Sequence, residues 1–575
     1  MGVRQRAVET ARNRLLTCGV IFSLAFLVMA GRVVDLTVLD GAPGQQAGAS
    51  AGGHKPARAD ITDRNGVLLA TSLNTASVYA DPKEITDPDA TVADLLRVFP
   101  DLDRTVIRTR LASGSRFVWI RRGITPEQQQ QVIALGIPGL GFREEHRRIY
   151  PQGRAVAHAV GATDIDGHGI AGVEESYDDS LAGGQPLQLA IDVRVQHILR
   201  RELATAQREF DALGAAGLVL DVATGDLVGM VSLPDFDPNE SAVDIDDEAR
   251  FNRVTKGVYE MGSTMKLFTV AMALDSGTTT VARGYDASRP LRVSRFTISD
   301  YHGKHRWLST REILVYSSNI GSALMALDVG TTLQRQYLQR FGLLHKASVG
   351  LPEVGAPLVP SPWREINTMT VAFGHGLAIS PLQLANGVAS LVNGGTLRPA
   401  HVALADDAAE QAAGQQVLSG RTSKQMRELM RDVVLHGTGT KADVPGYKVG
   451  GKTGTAEKLA GGHYVQNARI SSFVGAFPID APRYVVLAML DEPKGNRSTA
   501  NYATGGAVAA PVVARLVRHM APLLGIPPVQ DDQLPDGVRR AQAPAPAAGQ
   551  QRQRTPVEAA KPASGKKREK QFAAN

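Results

Sequence analysis

The chain has 575 residues, 63 Lys and Arg against 57 Asp and Glu, a formal net charge of +6, and one cysteine. That length is enough for two or more domains with a sizeable core, and the single cysteine, Cys18, excludes both an intramolecular disulfide and a cysteine metal cluster. The basic charge is spread along the chain without aromatic–basic stripes, which argues against nucleic acid as a partner and for solubility or contact with anionic polymers.

In chain order, the first readable element runs from Leu15 to Gly31, seventeen residues without a charge, at the lower limit for a spanning helix. Arg4, Arg6, Arg12 and Arg14 precede it. This predicts a cytoplasmic segment 1–14, an anchor over 15–36 and the remainder outside, with Cys18 in the membrane. A cleaved signal peptide is the rival, with Val28-Met29-Ala30 as its cleavage site. Residues 41–54, rich in Gly, Ala, Gln and Ser, read as a linker. Ala215 to Val222 is an apolar strand, and Thr224-Gly225 turns it into a second strand. From about Gly525 the chain is Ala-, Pro- and Gln-rich with almost no large apolar residue. Such a composition cannot bury enough surface to fold, so 525–575 reads as a disordered tail.

Three short segments between these ends carry chemistry. Ser263 and Lys266 are three residues apart, so on a helix both side chains lie on one face. A serine hydroxyl becomes a good nucleophile when a neighbouring base takes its proton. Lysine serves as that base only when neutral, and lowering its pKa from about 10.4 to about 7 costs roughly 5 kcal/mol. Desolvation and a second nearby cation both push that way. Lys452 could be the second cation. Gly262 before the serine and apolar Leu267, Phe268, Val270 and Met272 after it predict a turn entering a buried helix.

Ser317-Ser318-Asn319 would add a second hydroxyl and a carboxamide, and Lys452-Thr453-Gly454-Thr455 a cation and further hydroxyls. Each segment alone has a plain reading: a chance S-x-x-K, a helix cap, a strand end. Gly446 to Thr453 also matches G-x-x-x-x-G-K-T formally. A phosphate loop needs a helix after Lys-Thr, whereas Ala468 to Phe477 and Tyr484 to Leu490 are apolar, β-branched strands. His302 and His305 invite a metal reading, but no H-E-x-x-H occurs, and neither a metal nor a cofactor is expected.

Together and in this order, the three segments resemble the S-x-x-K, S-x-N and K-T-G set of penicillin-binding proteins and serine β-lactamases. The resemblance extends to Tyr259-Glu260-Met261-Gly262 before Ser263, to Gly374-His375-Gly376 followed by Ser380-Pro381-Leu382-Gln383, and to Gly437-Thr438-Gly439-Thr440. Arg58 to Ala70 is similar to the first box of the class B penicillin-binding proteins, with Arg58-Ala59 where that box begins Arg-Gly. Trp119 to Arg122, Arg148 to Pro151 and Gly169 to Glu174 are similar to later boxes. The charged residues of these boxes read as structural, with Arg58, Asp63 and Glu174 holding the pedestal to itself or to the catalytic domain.

The resemblance implies an α/β (α+β) fold. Its parts would be a transmembrane helix, an elongated dimerisation-like pedestal over 37–188, and a transpeptidase domain over 189–524 with a central antiparallel sheet flanked by helices. It implies a serine-type D-Ala-D-Ala transpeptidase in the bacterial inner membrane, single-pass, with its catalytic domain in the periplasm. Ser263 would be the nucleophile, Lys266 its base, Ser317 a proton relay, and Asn319 a group aligning the substrate amide. Lys452, Thr453, Gly454 and Thr455 would bind the substrate carboxylate, and the backbone N–H groups of Ser263 and Thr455 would form the oxyanion hole. The implied partners are stem peptides (a D-Ala-D-Ala donor and an amine acceptor), β-lactam inhibitors, a SEDS-family glycosyltransferase such as FtsW, and other divisome membrane proteins.

Local similarity favours the division-specific branch, with the elongation-specific branch as alternative. A β-lactam sensor or divisome scaffold is the reading from another class, and segment 1–14 is too short for a signalling domain. No paired glutamates suggest a fused glycosyltransferase, and no candidate deacylating glutamate suggests a β-lactamase. Ser263→Ala and Ser263→Cys are expected to abolish labelling by a fluorescent penicillin; labelling that persists would place the nucleophile elsewhere.

Overall fold

The computed structural model describes residues 57–240, 247–293, 296–404, 414–460 and 463–529, together with Val20, Ser23, Leu24, Phe26 and Leu27. The expected segment 1–14, most of the anchor 15–36, the linker 41–54 and the tail from 530 onwards lie outside the described residues. Among the described residues no helix is long and apolar enough to cross a membrane. The elements that follow all belong to the unit that begins at Ala57.

The first part is a sheet with helices on one face. Strands β1 (Ile61–Thr62), β2 (Leu68–Ala80), β3 (Val118–Ile124) and β4 (Leu140–Ile149) are joined by the short β5 (Leu187–Gln188). β2 pairs antiparallel with β1, β3 and β4, and β5 runs parallel to β1. Val78, Ala80, Ile120 and Ile124 point to the covered face, where helices α1 (Pro88–Val98), α2 (Arg104–Leu111) and α3 (Pro126–Ala134) bury Leu95, Ile107 and Val132 against them. Asp87 and Asp103 begin α1 and α2 by accepting bonds from backbone N–H groups of the first turn, which have no intrahelical partner.

Charge holds this part together from inside. Glu174 is fully buried and accepts from Arg58 Nε at 2.6 Å and from Arg148 Nε at 2.7 Å. Arg58 also pairs with Asp178 at 2.6 Å. The Asp63 carboxylate accepts from the N–H groups of Asn65 and Val67 and, at 3.1 Å, from that of Val193, where the helix Val193–Glu209 begins. These are the structural roles expected of Arg58, Asp63 and Glu174.

The second part is organised by one sheet. Its strands are β6 (Gly214–Asp221), β7 (Leu227–Leu233), β8 (Gly450–Ala460), β9 (His463–Phe477) and β10 (Tyr484–Asp491), in the order β8-β9-β10-β6-β7, antiparallel throughout. Both faces are covered, so the strands are apolar at successive positions. Leu218, Leu220, Val485, Leu487 and Met489 face one core, and Val219, Val486, Ala488 and Leu490 face the other. Helices α4 (Val193–Glu209) and, at the chain's far end, α10 (Ala510–Leu523) cover the second face. The first face packs against α5 (Lys266–Asp275), α8 (Pro381–Val392) and α9 (Gly420–His436). Between α5 and α8 lie α6 (Thr310–Tyr316) and α7 (Asn319–Val329). Each fully buried Leu or Val contributes about 1.5–3 kcal/mol. This packing forces β8, at one end of the sheet, alongside the start of α5.

Glu174→Ala should leave two buried guanidinium groups without their carboxylate and cost about 3–5 kcal/mol. The expected result is a lower melting temperature for the full chain. An unchanged melting temperature would mean that the pair does not hold this part together.

Candidate active site

Gly262–Met265 forms one tight helical turn that runs directly into α5. Ser263 sits in that first turn, where backbone N–H groups lack intrahelical acceptors. Lys266 follows one turn later on the same face, and its Nζ lies 2.9 Å from Ser263 Oγ. Two glycines allow the turn to press on its neighbours. Gly262 has φ +52°, and a Cβ there would come within 2.5 Å of the Thr455 carbonyl oxygen. Gly374 has φ +95°, and a Cβ there would meet the Gly262 carbonyl oxygen at 2.0 Å. The nucleophile turn is therefore in backbone contact with the K-T-G strand on one side and with the G-H-G loop on the other.

Ser317 ends α6 in a left-handed conformation, φ 61° and ψ 44°, which costs a non-glycine residue on the order of 1–3 kcal/mol. That conformation aims both its carbonyl and its hydroxyl at Lys266, at 2.7 and 3.1 Å. Ser318 caps α7 through the Gly321 N–H. Asn319 is buried, accepts from Lys266 Nζ at 2.7 Å and donates through Nδ2 to the Ser299 carbonyl at 3.0 Å. Its carboxamide therefore holds the lysine in place from within the protein. Lys452, on β8, reaches the other side of Ser317 Oγ at 3.0 Å, and also lies 3.3 Å from Thr438 Oγ1 and Thr453 Oγ1. Thr453 and Thr438 share a hydroxyl–hydroxyl bond of 2.8 Å, and Thr455 Oγ1 accepts from the Gly505 N–H at 3.0 Å. Gly454 packs so closely on the turn that a Cβ would approach the Met261 carbonyl oxygen at 2.7 Å. All eight residues singled out from the sequence meet here.

Lys266 and Lys452 are both completely buried. Burial first, and then the charge of Lys452, hold the Lys266 amine well below the usual lysine range, against an opposing pull from Asp300. Burial alone brings Lys452 down to about 7. A neutral Lys266 has two N–H bonds and one lone pair. The Ser317 carbonyl and Asn319 Oδ1 are pure acceptors at 2.7 Å and take the two N–H bonds. The lone pair is then left for the nearer of the two hydroxyls, Ser263 at 2.9 Å. Ser263, Ser317 and Thr455 are partly exposed while the amines behind them are buried. The pocket can activate a hydroxyl, pass a proton to a second one and receive an anion.

Two contributors did not emerge from sequence reasoning. Asp300 accepts from Ser318 Oγ at 2.7 Å and from the backbone N–H groups of Asn319 and Ile320 at 2.6 and 3.0 Å, anchoring the start of α7. Thr438 belongs to the Gly437–Thr440 segment that carries part of the family resemblance, but its contact with Lys452 is not legible there, and no local pattern marks Asp300. His302 packs beside Tyr301, with ring centroids 4.3 Å apart. After Lys452-Thr453 the chain continues as strand β8, so the formal phosphate-loop match has no helix to cap.

Residues 215–518 match the penicillin binding protein transpeptidase domain, and residues 54–201 match the penicillin-binding protein dimerisation domain. The chain is 43% identical to the probable peptidoglycan D,D-transpeptidase FtsI of Caulobacter vibrioides, covering 84% of each. It is 31% identical to the peptidoglycan D,D-transpeptidase FtsI of Escherichia coli K12, covering 89% of this chain and 92% of that one. Among solved structures, the transpeptidase domain of Burkholderia pseudomallei penicillin-binding protein 3 aligns with a TM-score of 0.53 at 32% identity, covering 60% of this chain and 98% of that one. Penicillin-binding protein 3 of Mycobacterium tuberculosis in complex with aztreonam shares the fold, with a TM-score of 0.64 at 24% identity over 82% and 97% of the two chains. With a dimerisation domain followed by a transpeptidase domain, and full-length relatives above the 30% level, this chain belongs to the class B penicillin-binding proteins.

Proposed function

We propose that the protein is a peptidoglycan D,D-transpeptidase that cross-links stem peptides during septal cell-wall synthesis, through an acyl-enzyme on Ser263 that β-lactams trap. The observation that carries this reading is a single buried amine, Lys266 Nζ, within 3.1 Å of two hydroxyls, with a second buried cation on the far side of one of them. The proposal keeps the domain limits 37–188 and 189–524. It also keeps a single-pass anchor over 15–36 in the inner membrane, a periplasmic catalytic domain, and a SEDS-family glycosyltransferase such as FtsW among divisome partners.

In this mechanism Ser263 Oγ attacks the penultimate D-alanyl carbonyl and its proton passes to Lys266 Nζ. The oxyanion accepts bonds from the backbone N–H groups of Ser263 and Thr455, each contributing about 2.7–4 kcal/mol in comparable sites. As the C–N bond breaks, the proton on Lys266 reaches the departing D-alanine amine through Ser317 Oγ, which donates its own proton and takes one from the lysine. Lys452, with Thr453 and Thr455, holds the terminal carboxylate. An amine from a neighbouring stem then attacks the ester and loses a proton to Lys266, which passes it to Ser263 Oγ as the ester C–O bond breaks. Lys266 thus works neutral and Lys452 charged. A bound carboxylate beside Lys452 raises its pKa again, because an opposite charge favours the protonated form.

Three outcomes test this. With a carboxylate-bearing β-lactam, the second-order acylation rate should fall as pH rises above about 7, where Lys452 loses its proton in the empty site. At saturating inhibitor the same limb should move to higher pH; identical limbs would dissociate it from Lys452. Lys452→Ala should weaken such inhibitors at least tenfold, the loss expected of one charge-assisted hydrogen bond of about 1.5–3 kcal/mol, without an equal loss of melting temperature. Depleting the protein should give filamentous cells, whereas round cells would assign it to elongation; complementation by Ser263→Ala would make it a scaffold.

A further inference from the structure

Glu260 stands three residues before Ser263, on a two-residue strand, Tyr259–Glu260, that pairs with Ala378–Ile379. Its side chain is buried, and its one carboxylate serves three partners from two other segments. Oε1 accepts from the Gly376 N–H at 2.7 Å. Oε2 lies 3.1 Å from His375 Nδ1. The Tyr464 hydroxyl reaches both oxygens, at 3.2 and 3.1 Å. Gly376 and His375 belong to the loop whose Gly374 carbonyl accepts from the Gly262 N–H at 3.3 Å, next to the nucleophile. Tyr464 lies near the start of β9, in the hairpin whose other strand carries Lys452 to Thr455. Tyr464 is 47% exposed, yet its hydroxyl turns inward to this carboxylate. Burial, and after it the negative charge of Glu260, raise the phenol's pKa, so it stays a donor. His375 and Tyr464 also meet edge to face at 6.0 Å.

The mechanism above leaves this network unused, since none of its side chains is placed at the reacting atoms. We propose that Glu260 is a positioning residue: it clasps the β8–β9 hairpin, through Tyr464, and the G-H-G loop onto the turn that carries Ser263, so that the seating of the hairpin sets the rate of acylation. The warrant is geometric. The nucleophile turn is held by backbone contacts to Thr455 and Gly374, and the same two segments are fastened to the adjoining residue by one carboxylate. A shift of about 1 Å in a reacting group costs on the order of 10²-fold in rate, so loosening either segment should be felt at Ser263 with little effect on the binding of a carboxylate at Lys452.

This inference rests on the transpeptidase reading, and the experiment separates the two. Full-length protein in detergent is reacted with a fluorescent penicillin, the adduct is mapped by mass spectrometry, and the acylation rate constant and the dissociation constant are determined separately. Failure of the wild-type chain to label at Ser263 would overturn the transpeptidase reading itself. Given that label, Glu260→Gln, which keeps the side-chain shape but leaves one acceptor oxygen for three partners, should lower the acylation rate constant about 10–100-fold. Tyr464→Phe removes one hydroxyl from a half-exposed ring; it should lower the rate constant about 3–10-fold, the effect of one hydrogen bond, with an unchanged melting temperature and dissociation constant. In the Glu260→Gln background, Tyr464→Phe should cost no more than about a further twofold, because residues of one network do not act additively. Wild-type rate constants in the single variants, losses confined to the dissociation constant, or fully additive losses would overturn the clasp. Should Glu260→Gln fail to fold, the rate constant of Tyr464→Phe alone decides.

Discussion

Two lysine side chains are buried behind one set of partly exposed hydroxyls, and burial lowers the pKa of both. Lys266 and Lys452 flank the same hydroxyl, that of Ser317, and both are fully buried. Burying one ammonium ion costs several kcal/mol, and burying two side by side costs more. The less costly state leaves at least one of them neutral, and Lys266, held down both by burial and by the charge of Lys452, is the one beside Ser263. The site is thus a small reservoir of unfavourable electrostatics.

Such a site has to be held by structure built for other reasons. The five-stranded sheet has apolar residues on both faces, and its two cores enclose α5 on one side and α4 with α10 on the other. That burial is what offsets the left-handed Ser317 and the two desolvated amines. It also sets the approach of β8 to the nucleophile turn, where Gly262, Gly374 and Gly454 permit contacts that a Cβ would block. Asp300 completes the frame by satisfying three donors at the start of α7, so Ser317 and Asn319 are presented from a fixed helix end.

The pedestal follows the same logic on a different scale. Glu174, wholly buried, is tolerable only because two guanidiniums meet it, and Asp63 spends its oxygens on backbone donors from its own turn and from the start of α4. Neither cluster is placed to do chemistry. Their charges reduce the number of ways in which the elements can be put together, a role that hydrophobic contacts alone perform less selectively.

Much of this was legible in residue order. The spacing of Ser263 and Lys266 put both on one helical face, and the apolar runs around 215–222, 468–477 and 484–490 were strands, because each of these properties depends on neighbours in the chain. The pairing of β10 with β6, the service of Asp300 and Thr438, and the clasp of Glu260 with His375, Gly376 and Tyr464 could not be read that way. They join residues tens to hundreds of positions apart, and no local periodicity encodes such distances. Composition and motif determined which chemical groups this protein owns. Only the closing of the sheet, driven by burial on both its faces, decided which of them would touch and buried both amines.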